Sequence, residues 1–128
     1  MTRLFWICLA GAAGTAARYF LSSWLARATG AAFPLGTLIV NVIGSFLLGA
    51  IMQVALSAES FPPTLRLALT TGLVGGFTTY SSFNYETLRY FQDGAWRAGC
   101  LNLSVTVAAC LAAGVLGVWT GRLLTGAA

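Results

Sequence analysis

The sequence predicts an all-α integral membrane protein with four spans, and three observations lead there. Only 8% of the 128 residues are charged, against about 25% in an ordinary soluble domain. Hydrophobic residues make up 58%, which excludes disorder, because disordered chains are poor in apolar side chains. The apolar residues fall into four stretches, each near the roughly 20 residues that a spanning helix needs. A soluble domain of this size has too much surface to cover with so few charges. Four spans take about 80 residues and leave only loops and helix ends, so 1–128 reads as a single transmembrane domain. With no histidine in the chain, histidine catalysis and histidine metal sites are excluded, and a soluble enzyme is not expected.

The first span covers 4–26. It follows Arg3 and has the outline of a signal peptide, but no clear small-residue cleavage site introduces a soluble mature domain, so it is read as a span. The second covers 35–57, the third 65–90 and the fourth 98–124, all by apolar length and not by periodicity. Arg27-Ala-Thr-Gly, Glu59-Ser-Phe-Pro-Pro and Gln92-Asp-Gly separate them. Pro62 and Pro63 suit the start of the third helix, because proline fits the first helical turn and not the interior.

Orientation in the membrane follows the excess of basic residues on the cytoplasmic side. Arg3, Arg66 and Arg122 lie on one side and Arg27, Arg89 and Arg97 on the other, an even division. Short loops make such counts noisy; alternatively, copies insert both ways and pair as an antiparallel dimer. Ala10 and Gly14, Gly11 and Thr15, and Ser45 and Gly49 have the small-x-x-x-small spacing that lets helices approach in lipid. Cys8, Cys100 and Cys110 lie in apolar spans and read as small buried hydrophobes.

Polar groups at bilayer depth each need a reason. Thr37, Asn41 and Ser45 are spaced i, i+4, i+8 and form one stripe on the second helix. They are either interhelical hydrogen-bond glue or the lining of a polar pathway. In the third helix, the run from Thr70 to Phe83 carries Gly72, Gly75 and Gly76 with four threonines, poor helix material. Either the helix kinks around packing glycines, or it breaks and frees backbone carbonyls, hard ligands for a cation such as Na⁺.

Tyr80 and Phe83 then share a face, as core packing or as ring edges turned to an anion. Thr79, Ser81 and Ser82 add hydroxyl donors, and Glu86 follows near the membrane boundary as a snorkelling or capping carboxylate. Asn102 and Thr106 stand i, i+4 on the fourth helix, and Arg18 sits late in the first. The interior is thus rich in neutral donors and lacks a chain of acids for a proton relay, which favours handling of a small dehydrated anion.

Three stretches resemble motifs of the Fluc (CrcB) fluoride channels. They are Gly36-Thr-Leu-Ile-Val-Asn-Val-Ile-Gly-Ser-Phe-Leu-Leu-Gly49, the stretch Gly72-x-x-Gly-Gly-Phe-Thr-Thr-Tyr-Ser-Ser-Phe-x-x-Glu86, and a first-helix glycine followed by Arg18. The resemblance covers essentially the whole chain. It implies an antiparallel, dual-topology homodimer with two fluoride pores, exporting F⁻ passively across the bacterial cytoplasmic (inner) membrane. It further implies a structural Na⁺ at the dimer centre, held by the carbonyls of Gly75 and Thr78. By the same resemblance, Tyr80 and Phe83 are the pore aromatics, with Asn41 donating nearby. Thr37, Ser81 and Ser82 belong to a polar track, and Glu86 faces a vestibule.

The partners implied are fluoride, a second copy of the chain and the lipid bilayer. No organic cofactor and no nucleic acid is expected. The family usually has Phe at position 80, where this chain has Tyr80; the added hydroxyl at the narrowest stretch leaves open whether conduction is altered, blocked or unchanged. A Tyr and a Ser often stand four apart in the family's fourth helix, where this chain has Asn102 and Thr106. Two other readings compete. A small multidrug-type exporter would need a central acid in the first helix, which is absent, and a non-transporting scaffold would give no reason for a donor-lined stripe.

Overall fold

The structure is a computed structural model, and it describes residues 1–30, 33–58 and 60–126; Glu59 of the second loop lies outside them. Helix α1 runs Thr2–Thr29 and stops at Gly30, whose φ of 54° places it in the left-handed region that suits glycine. Helix α2 runs Leu35–Ser57. After Pro62, helix α3 (Pro63–Leu67) starts with proline in its first turn. A π-helical segment, Ala68–Val74, continues into α4, a single turn over Gly75–Phe77. Helix α5 (Tyr80–Gln92) leads through a turn at Gly94, φ 74°, to α6 (Trp96–Thr125).

Helices α1, α2 and α6 are each long and apolar enough to cross a membrane. The third span is not one rod, because α3, the π segment and α4 carry it to Phe77 and α5 completes it after two extended residues. The first and fourth helices run past the expected 4–26 and 98–124 at both ends. Apolar length marks what sits in hydrocarbon, whereas helical hydrogen bonding continues into polar flanks such as Thr29, whose hydroxyl donates to the Leu25 carbonyl at 2.8 Å.

Two pairings make the bundle: α2 lies along α6, and α1 lies along the π segment and α4. Both rest on backbone contact. A Cβ added to Gly76 would stand 2.5 Å from the Gly11 carbonyl oxygen, and one added to Gly72 would stand 2.7 Å from that of Ile7. On the other seam, a Cβ at Gly49 would lie 2.5 Å from the Gly114 oxygen, and one at Gly117 would collide with the Phe46 carbonyl. Water expulsion does not drive association in lipid, so close van der Waals approach of this kind holds the helices together.

None of the three cysteines is fully buried. Cys8 and Cys100 are exposed on the protomer and Cys110 is half-buried, all three as free thiols. Apolar surface costs nothing against lipid tails, so hydrophobic character does not imply burial here. Leu4, Trp24, Leu111 and Trp119 are exposed in the same way.

Candidate functional site

The interruption of the third span falls at Thr78 and Thr79, two residues beyond the last glycine of the cluster, Gly76. Thr78 (φ −78°, ψ 159°) and Thr79 (φ −149°, ψ 105°) are both extended. Gly72 and Gly76 remain in helical conformation and serve as the flat face against α1, so the packing role and the break are both present at adjacent positions.

Asn41 holds the break in place. It is buried, and its Nδ2 donates to the Thr79 carbonyl at 3.0 Å while its Oδ1 accepts from the Thr79 N–H at 2.8 Å. One side-chain amide thus satisfies both backbone groups of a residue that has left the helix, as a neighbouring strand would. In a continuous helix the Thr79 N–H would go to the Gly75 carbonyl. The amide of Ser82, which would go to the Thr78 carbonyl, donates instead to Thr79 Oγ1 at 3.2 Å, the N-cap of α5. The amides that a continuous helix would bring to the Gly75 and Thr78 carbonyls thus go elsewhere, and the carbonyls of Gly76 and Phe77, between them, precede the same break. Thr79 Oγ1 also donates to Ser82 Oγ at 3.0 Å and lies 3.3 Å from Ser81 Oγ, so the three hydroxyls form one cluster.

Most of the residues singled out in the sequence line two cavities. An open groove of about 340 Å³ gathers Asn41, Gly75, Thr78, Tyr80, Phe83 and Thr106, with Ser45 of the α2 stripe beside them. Tyr80 is exposed and Phe83 is buried, and their rings meet edge to face at 5.8 Å between centroids. A Cβ on Gly44 would collide with the Thr78 methyl, so Gly44 is what lets α2 seat against the break.

A second cavity of about 310 Å³ gathers Arg18, Thr37, Thr79 and Ser82 with Thr15 and Ser22. Thr37 and Ser22 also border a third, about 210 Å³, that contains Glu86. Glu86 does not snorkel outward but turns in to α2. Its Oε1 accepts from the Thr37 hydroxyl at 2.6 Å, and its Oε2 is buried with no hydrogen-bond partner among the described residues. Arg18 Nε is buried and unpartnered on the same terms. Ser81 is exposed.

Asn102 stands apart from both cavities. It is 1% exposed, and its Nδ2 donates to Thr87 Oγ1 at 2.8 Å. Thr87 carries no motif, and its partner is a helix away in sequence, so only the folded contact reveals it. Among the described residues no three His, Cys, Asp or Glu side chains gather.

The fold and these cavities define a small multi-span helical membrane protein whose interior carries amides and hydroxyls together with the part-buried Arg18 and Glu86. A family model described as CrcB-like protein, Camphor Resistance (CrcB), matches residues 5–118. The chain belongs to the CrcB family. It is 59% identical to the fluoride-specific ion channel FluC of Sorangium cellulosum over 97% of this chain and 98% of that one. It is 52% identical to the protein of the same name from Anaeromyxobacter dehalogenans, over 98% and 100% of the two chains. A third, from Citrifermentans bemidjiense, is 45% identical over 97% and 100%. These relatives are named as ion channels, a non-enzymatic activity. The chain is thus a multi-pass membrane protein of an ion-channel family.

Proposed function

We propose that this chain is a fluoride-selective passive channel. Its whole length acts as one transmembrane domain, paired with a second, antiparallel copy to give two pores. It exports F⁻ from the bacterial cytoplasm across the inner membrane. The observation that carries the reading is the open groove where Asn41, Tyr80, Phe83 and Thr106 meet beside the break. The names of its relatives give the ion.

Fluoride is small and tightly hydrated, so selecting it requires protein donors that replace water. Asn41 spends one amide hydrogen on Thr79 and keeps the second for an ion. The Thr106 hydroxyl and the positive ring edges of Phe83 and Tyr80 complete the set. Thr37, Thr79, Ser81 and Ser82 form the accompanying polar track, with Arg18 and Glu86 at its vestibule. The carbonyls of Gly75 and Thr78 are hard oxygens freed by the break, and they suit Na⁺. Two from each copy would hold the ion, whose charge would tie the two breaks together.

The test is efflux from liposomes loaded with potassium fluoride or potassium chloride after addition of a potassium ionophore. Rapid fluoride efflux with chloride retained is the expected result, and Phe83→Ile lowers fluoride efflux while the dimer stays folded. Proton-coupled cation uptake would instead identify an exporter. Silence that Tyr80→Phe relieves would locate a block at Tyr80, whereas silence in both would identify a scaffold and overturn the channel reading.

A further inference from the structure

We propose that Thr87 and Asn102 are positioning residues that fix the depth and rotation of Phe83 through a directed hydrogen-bond relay between α5 and α6. The proposal goes beyond the channel reading and rests on it only for what Phe83 does.

Helix α5 begins after two extended residues, so helix continuity with α4 does not set its rotation. Its N-terminal end is held by Asn41 on Thr79. Its body is held by an antiparallel seam in which Gly99, Asn102 and Thr106 of α6 face Phe91, Thr87 and Phe83 of α5, helical spacing on both sides. At one end the Phe91 ring fills the space where a Gly99 Cβ would stand. At the other, Phe83 and Thr106 border the groove together. The middle rung is hydrogen-bonded: Asn102 Nδ2 donates to Thr87 Oγ1 at 2.8 Å, and Thr87 Oγ1 donates to the Phe83 carbonyl at 2.8 Å.

A threonine hydroxyl bonded to its own i−4 carbonyl is common and decides nothing by itself. Here the amide hydrogen of Asn102 occupies the hydroxyl as acceptor, so the single hydroxyl proton must point at Phe83. The direction of the relay is fixed, and it ends on the backbone of the pore aromatic. Both side chains are buried, with Thr87 at 6% exposure. A slip of α5 by one residue turns the contact by about 100° and moves it about 1.5 Å. That slip leaves the Asn102 amide against apolar surface, where an unmade hydrogen bond is strongly disfavoured. Single buried polar residues set register between helices in the same way.

Two readouts test this on the full-length protein in liposomes and detergent: fluoride efflux, and the ¹⁹F resonance of 4-fluorophenylalanine placed at position 83. Thr87→Val, which keeps shape and loses the hydroxyl, is expected to shift or broaden the resonance. It is also expected to lower efflux by about tenfold or more, as ångström-scale misplacement of a working group does. Thr87→Ser, which keeps the relay, is expected to retain the wild-type line and rate. If Thr87→Val does not fold, Asn102→Leu with Thr87→Val supplies an apolar seam without directed register and is expected to show the same broadened line. A wild-type line in Thr87→Val or in the double variant overturns the proposal, as does equal impairment in Thr87→Ser and Thr87→Val. If the wild-type protein itself passes no fluoride, the channel reading falls while the ¹⁹F comparison still decides the positioning role.

Discussion

At Thr79 the chain leaves the helix at membrane depth, where an unpaired backbone group has no water to turn to. One side chain, Asn41, answers both the N–H and the C=O. The type of residue and its stripe were legible in the sequence, since an amide in a span demands partners. Its partner was not legible, because the motif gives no distance between the second and third helices. Asn41→Ala removes both bonds and leaves two buried backbone groups unmet, a loss of about 1–3 kcal/mol for each such group before the chain relaxes. Equilibrium unfolding in mixed micelles is expected to show a clear destabilisation, and fluoride efflux should fall with it. Thr87 is illegible in the sequence for a different reason: a single threonine on a helix most often bonds its own turn, and only the buried Asn102 beside it gives it a second role.

At the scale of elements, the third span is where sequence and structure differ most instructively. Glycine and threonine enrichment marks weak helix, and the break is there. It falls at Thr78–Thr79 and not at the glycines, because Gly72 and Gly76 are held helical by their contact with α1. Propensity locates the weakness, and packing decides which residues yield. The glycines therefore differ in what they tolerate. Gly76→Ala would drive a methyl against the Gly11 backbone, where neither side can give, and overpacking of that kind costs about 1–3 kcal/mol. Gly75→Ala meets nothing nearer than the Thr70 oxygen at 3.6 Å within the protomer. Thermal unfolding in detergent should show a lowered midpoint for Gly76→Ala. For Gly75→Ala the protomer should unfold as wild type, and any defect should appear in dimer formation by light scattering.

For the whole molecule, scarcity of charge declared the membrane, and the division of the arginines bears on how the chain enters it. Counted by the four expected spans, Arg3, Arg66 and Arg122 fall to one side and Arg27, Arg89 and Arg97 to the other, a division without the excess that orients a chain. A reporter fused after the C-terminus, active on one side of the membrane only, is expected to report both orientations within one population. Strict single-sided signal would contradict antiparallel pairing. The groove beside the break opens on the protomer surface, and its contents make sense as half of a shared pathway. The proposed sharing has no signature in periodicity, because lipid-facing and partner-facing surfaces are equally apolar. The central claim is selectivity for fluoride, and the most direct measurement is the reversal potential of the purified protein in a planar bilayer with a fluoride gradient across it and an opposing chloride gradient. The account predicts a current that reverses near the fluoride equilibrium potential; reversal governed by chloride or by protons would contradict it.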